Sequence, residues 1–111
     1  MTGELNQQVQ PDENALIEQL ADLFSLMGDP TRLRIIMTCL REPISVSDIA
    51  STLSLSQPLV SHHLRLLKAA RMVRAERRGK QIFYVAADAH VQCVIDDMVA
   101  HFSEPTGEVG A

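Results

Sequence analysis

Tryptophan is absent, aromatic residues make up only 4% of the chain, and there are just two cysteines, Cys39 and Cys93. With so few rings the interior must be filled by Leu, Ile, Val and Met, and a hydrophobic content of 46% over 111 residues is enough for the modest core of one small domain. Two cysteines this far apart exclude a disulfide framework. No apolar run approaches the roughly 20 residues of a membrane span, and the opening MTGELNQQVQPDEN lacks the basic-then-apolar pattern of a secretory signal. The expectation is a cytoplasmic protein without membrane association. No nucleophile–base arrangement and no phosphate loop is evident, which argues against an enzyme.

Acidic residues are nearly missing from one stretch. From His62 to Lys80 there are seven of the ten Lys and Arg residues against Glu76 alone, a formal +6, whereas the rest holds three cations and thirteen acids, a formal −10. A charge segregated in this way marks where a polyanion could dock.

Periodicity then orders the chain. Residues 14–104 are expected to form one domain between flexible tails at 1–13 and 105–111, which are rich in Gly, Gln, Pro and acids. Leu16, Leu20, Leu23, Phe24 and Met27 are spaced as one helical face, and Gly28 is a plausible stop. Asp29 can cap a second helix with Pro30 in its first turn, along which Leu33, Ile36, Met37 and Leu40 make a face. Ser45 with Asp48 three residues on reads as a capping box opening a short third helix.

Ser56 caps a fourth helix, with Pro58 in its first turn and Leu59, Val60, Leu64 and Leu67 as its buried stripe. Two helices joined by LSLS make a helix-turn-helix, whose second helix reads the DNA major groove with its N-terminal residues. The residues left around that exposed start are Ser56, Gln57, Pro58, Ser61, His62 and Arg65. His63 is expected to face the supporting helix or solvent.

The period then changes from helix to strand. Met72–Glu76 and Gln81–Val85 flank RRGK, a hairpin turn. A basic-tipped hairpin after a helix-turn-helix is a wing. Arg77, Arg78 and Lys80 are then phosphate contacts, adding affinity and register rather than sequence choice; the plainer reading makes them a solvated turn. The predicted fold is mainly α with a β-hairpin wing, a winged helix-turn-helix in the order α-α-α-α-β-β-α.

The last helix, from the possible cap Asp88 to just before Pro105, carries Val91, Val94, Ile95, Met98, Val99 and Phe102 on one face. So apolar an addition to a small winged helix suits a homodimer formed through the first and last helices. Asp88 and His90 lie at one end of it, and His101 and Glu104 at the other. The pairs are roughly 16–20 Å apart along a helix, too far for one chain to bring all four to one ion. Across a two-fold axis, however, the start of one helix lies beside the end of its copy, and two imidazoles with two carboxylates suit Zn(II), or Co(II) and Ni(II) with added ligands. Taken singly, each residue also has a plainer role: Asp88 as a cap, the histidines as exposed polar groups, Glu104 as part of a solvated tail.

From about Leu16 to Glu104 the chain resembles the ArsR/SmtB family of dimeric winged-helix metal-sensing repressors. The resemblance rests on LFSLMGDPTRLRIIMTCL, LSQPLVSHHLRLLKAARMV, RRGKQIFYV and the terminal Asp-x-His with His and Glu thirteen and sixteen residues after the Asp. That last pattern is similar to the terminal-helix site of the family's zinc sensors and implies Asp88, His90, His101 and Glu104 as ligands. The resemblance further implies an apo dimer on double-stranded operator DNA, displaced when metal binds, so that efflux or sequestration genes are expressed. Family members with a thiolate site carry cysteines where this chain has Ser45–Ile49, so a soft-metal site is not expected there. The alternative is a metal-independent or a thiol- or persulfide-responsive repressor using Cys39 and Cys93, although by register both cysteines are expected to pack as small apolar residues.

Overall fold

The computed structural model describes residues 2–105, with side chains from residue 12 onward. Its elements are α1 (Thr2–Met27), α2 (Pro30–Arg41), α3 (Val46–Leu53), α4 (Gln57–Ala69), β1 (Val73–Arg78), β2 (Gln81–Ala86) and α5 (Ala89–Ser103). This is the expected order of four helices, a hairpin and a last helix. The chain divides into two compact units between Leu33 and Arg34.

In the first unit α1 begins at Thr2, within the segment expected over residues 1–13 as a tail. Glu4, Leu5, Gln7, Gln8 and Gln10 are good helix formers. Residues 106–111, most of the other expected tail, lie outside the described residues. Leu16, Ile17, Leu20 and Phe24 are exposed along α1. Asp29 starts α2 as its spacing predicts: its carboxylate accepts the Arg32 backbone N–H at 2.8 Å, and its carbonyl accepts that of Leu33 at 2.9 Å.

The second unit holds the core, where Ile35, Ile36, Ile49, Val60, Leu64, Leu67 and Val73 are almost wholly buried. α3 packs on α4, α4 on β1, and β2 on both α3 and α5. The buried face of α2 is rotated from the expected one. It is Ile35, Ile36 and Cys39, with Leu33, Met37 and Leu40 half-buried at its margins. Periodicity fixes the spacing of a stripe, but the neighbours fix its phase.

The capping signals hold in part. Ser45 Oγ accepts the Asp48 N–H at 3.2 Å and Ser56 Oγ that of Leu59 at 3.3 Å. Among the described residues the reciprocal half of the capping box is not formed, since Asp48 is a methylene shorter than the Glu or Gln that reaches back.

α3 and α4 end alike. Leu55 N–H donates to Ala50 C=O at 2.9 Å and Ser54 N–H to Ser51 C=O at 3.4 Å; Met72 N–H donates to Leu67 C=O at 2.9 Å and Arg71 N–H to Lys68 C=O at 3.0 Å. Ser54 and Arg71 take φ of 58° and 61° to make these closures, a left-handed conformation usually given to glycine. A side chain there costs about 1–2 kcal/mol. Burial of Met72 against solvent at 4% exposure, beside fully buried Leu67, offsets that cost at the end of α4.

β1 and β2 pair antiparallel from Val73↔Ala86 to Arg78↔Gln81, leaving Gly79 and Lys80 as the turn. Gly79 has φ +65°, which suits the first central position of a two-residue hairpin turn. The base of the hairpin is fastened to the connection between α2 and α3. Ile44 N–H donates to Tyr84 C=O at 3.2 Å, and Tyr84 N–H donates to Ile44 C=O at 2.8 Å.

Candidate nucleic-acid interface and metal-ligand positions

The start of α4 is presented as its sequence requires. Ser56 stands outside the helix in extended conformation and caps it, so the first turn projects from a fixed point. Val60, Leu64 and Leu67 anchor one side in the core. Opposite them, Gln57, Ser61 and Arg65 follow at four-residue spacing, with Pro58 and His62 alongside. Ser56, Gln57, Pro58, His62 and Arg65 are exposed and Ser61 is half-buried.

One neighbour departs from expectation. Leu59, in the first turn of α4, is 39% exposed rather than part of the buried stripe. His63 is the buried histidine, at 8% exposure, with its ring 5.7 Å from that of His62.

The wing carries four arginine and lysine side chains of two kinds. Arg77 and Lys80 are exposed and have no ion-pair partner among the described residues. Arg74 and Arg78 are both tied to Glu76, at 2.6 Å and 2.9 Å, and the Arg78 guanidinium lies 5.6 Å from the centre of the Phe83 ring. Hydrogen bonds from Arg78 and then Arg74 hold the Glu76 carboxyl below the usual carboxylate range. Arg74 and Glu76 fall outside the site expected from the sequence. The alternation R-x-E-x-R on a strand, which places all three on one face, is the signal that points to them.

The four candidate metal ligands lie where their spacing puts them. Asp88 caps α5, its Oδ1 accepting the Val91 N–H at 3.1 Å, and His90 Nδ1 lies 3.6 Å from the same oxygen. The Val91 hydrogen bond, with His90 alongside, holds the Asp88 carboxyl below its usual range. At the other end His101 and Glu104 are exposed, and the His101 ring stands edge-on to Phe102 with centroids 4.9 Å apart. Among the described residues no three His, Cys, Asp or Glu side chains of one chain gather closely enough to hold an ion. The structure thus brings together Asp88 and His90 but not the two pairs. Between the pairs α5 exposes Val94, Met98 and Val99, and Phe102 follows beside His101; Ile95 is its one buried residue.

The cysteines are unlike each other. Cys39 is buried in the core, and burial pushes its thiol up to about 12; Cys93 is exposed on α5, contrary to the expectation that it packs. A thiol must ionise to react. At pH 8, Ellman's reagent should therefore titrate one thiol per folded chain quickly and the second only in denaturant. A Cys93→Ser variant should lose the fast phase, and two equally fast thiols would contradict the burial of Cys39.

Among the described residues no helix is long and apolar enough to cross a membrane. Comparison with known proteins bears on this geometry directly. Residues 29–75, which include the helix-turn-helix, match the helix-turn-helix family described as bacterial regulatory protein, arsR family. A transcriptional repressor SmtB homolog of Synechocystis is 36% identical over 99 residues, covering 87% of this chain and 75% of that protein. A cadmium resistance transcriptional regulatory protein CadC homolog of Staphylococcus aureus is 31% identical over 86 residues, 77% of this chain and 71% of that one. Among solved structures, a homodimeric winged helix-turn-helix DNA-binding domain from Mycobacterium bovis superposes with a TM-score of 0.73 at 23% identity, covering 83% of this chain and 88% of that one; this likeness concerns the fold.

Proposed function

The chain belongs to the ArsR/SmtB family of bacterial regulatory proteins, and on that premise we propose that it is a homodimeric repressor released from operator DNA by a divalent metal ion, Zn(II) or, with the same donors, Co(II) or Ni(II). Membership makes it a DNA-binding transcriptional regulator rather than an enzyme. The finer reading rests on one observation: α5 carries a carboxylate–imidazole pair at each end and an exposed apolar face between them.

An exposed face of Val94, Met98 and Phe102 at four-residue spacing marks an association surface, and the exposed Leu16, Ile17, Leu20 and Phe24 of α1 supply a second. Antiparallel pairing of α5 with its copy sets Asp88 and His90 of one protomer against His101 and Glu104 of the partner subunit. The donors fit such an ion. All four side chains are exposed, Asp88 is kept ionised by its capping bond, and a carboxylate retains lone pairs beyond the one that caps. When bound, the metal would fix the two α5 helices, and with them the two copies of α4, in one relative orientation.

On DNA, Gln57, Ser61 and His62 are the side chains for base edges, with Gln suited to adenine, while Arg65, Arg77, Arg78 and Lys80 meet phosphates. Cadmium figures in the name of one relative, but Ser45–Ile49 offers no thiol and does not support a soft-ion site here. Burial of Cys39 likewise leaves a redox switch on Cys39 and Cys93 without a reactive partner for Cys93.

The test is a Co(II) titration of the reduced apo-protein, followed by absorption. Intense tetrahedral ligand-field bands saturating at one ion per protomer, without a sulfur charge-transfer band, are expected. A charge-transfer band or the absence of stoichiometric binding would overturn the assignment.

A further inference from the structure

Glu76 is the sole acid in the most basic stretch of the chain, and it neither caps a helix nor faces the core. Its two carboxylate oxygens are divided between two guanidiniums: Oε2 accepts from Arg74 Nη1 at 2.6 Å and Oε1 from Arg78 Nη2 at 2.9 Å. The three residues alternate along β1 and so share a face, and Phe83, directly across the ladder from Glu76, lies beneath the Arg78 guanidinium. Arg77 lies on the opposite face, cross-strand from Ile82, and Lys80 lies in the turn. Among the described residues, half of the wing's cations are thus held and half are without an ion-pair partner.

The clamp is not needed for the fold. Ion pairs this exposed, with the arginine side chains 56% and 54% accessible, contribute little to stability, and the hairpin is already fixed by its ladder and by the two hydrogen bonds between Ile44 and Tyr84. Its consequence is electrostatic. Binding to DNA of arbitrary sequence is governed by the number of phosphates neutralised, each deepening the salt dependence by about 0.9 in logarithmic slope. An acid bonded to two arginines engages both guanidiniums and takes one unit off the wing's positive charge, so that neither arginine counts in full toward an approaching phosphate.

We infer that Glu76 is a specificity-determining positioning residue of the wing, withholding Arg74 and Arg78 from DNA of arbitrary sequence. On an operator the balance differs. Base contacts from α4 hold the wing over fixed phosphates, and each guanidinium, having five donors, can reach a phosphate while Glu76 still steadies it. The carboxylate therefore penalises random DNA more than operator. This inference rests on the DNA-binding reading above.

The experiment compares wild type with Glu76→Gln by fluorescence anisotropy, using a random-sequence 30-base-pair duplex and a duplex recovered from a random pool by the wild-type protein, over a range of NaCl. The variant should bind the random duplex roughly three- to tenfold tighter near 0.15 M salt, with a slope steeper by about 1 to 2. Its gain on the selected duplex should be smaller, so that the selectivity ratio falls. A second comparison keeps Glu76 in place: Arg74→Gln should leave the random-duplex slope unchanged, whereas Arg77→Gln should make it shallower by about 1. Equal slopes for wild type and Glu76→Gln, weaker binding by that variant, or an Arg74→Gln loss equal to that of Arg77→Gln would overturn the inference while leaving DNA binding intact. A wild-type protein with no salt-dependent affinity for either duplex would instead overturn the DNA-binding reading, and this inference with it.

Discussion

Replacing His101 with Gln should leave operator binding by the metal-free protein unchanged and remove its response to metal. The side chain is exposed in the last turn of α5, with its ring edge-on to that of Phe102, and His101 is neither a buried residue nor a cap of that helix. The substitution removes an imidazole, for which a neutral amide is a poor substitute as a ligand to Zn(II). Coupling between an effector and DNA typically lies at 1–3 kcal/mol, or about 5- to 150-fold in affinity. A metal-induced loss of that size in wild type should shrink to within about twofold in the variant. Because coupling is reciprocal, saturating operator DNA should weaken metal binding to wild type by the same factor and leave the variant's residual binding untouched. An undiminished response in the variant, measured by DNA-binding titration with and without Zn(II), would remove His101 from the scheme.

Leu64→Ala should destabilise the fold severely. Leu64 is 1% exposed and sits midway along α4 with Val60 and Leu67, both at 0%. Truncating a leucine so enclosed costs about 2–5 kcal/mol, because the loss of transfer free energy is joined by the cavity left behind. Domains of this size are stable by only about 5–15 kcal/mol in total, so the variant should show a large fall in its urea midpoint and lose DNA binding through unfolding. Leu59→Ala, five residues earlier but 39% exposed, should alter stability by less than about 1 kcal/mol. Similar urea midpoints for the two variants would show that α4 is not anchored through Leu64.

Which features are legible in the sequence follows from the range of the forces involved. The caps at Ser45, Ser56 and Asp88 are legible because each bonds a backbone N–H three residues on. The wing is legible because a change of period and a glycine suffice to announce a hairpin. The phase of α2 is not, since choosing Ile35 and Cys39 over Met37 and Leu40 for the interior depends on elements distant in sequence. The same holds for Cys93, apolar enough to pack but placed on the open side of α5. In the candidate site the individual positions at both ends of α5 are readable. The clamp on Arg74 and Arg78 is not, because counting charges along the segment hides which of them neutralise one another.

The paired hydrogen bonds between Ile44 and Tyr84 make the helix-turn-helix and the wing a single jaw. A jaw fastened in this way has little room to adjust its grip within a half-site. In the proposed dimer the adjustable quantity is therefore phasing, the rotational setting of one half-site relative to the other around the DNA axis. One inserted base pair turns a half-site by about 35° and shifts it by about 3.4 Å, a displacement shared by every contact of that jaw at once. Such a protein measures its operator much as a caliper does, and a change in the spacer should be felt more sharply than a change in any one base it touches.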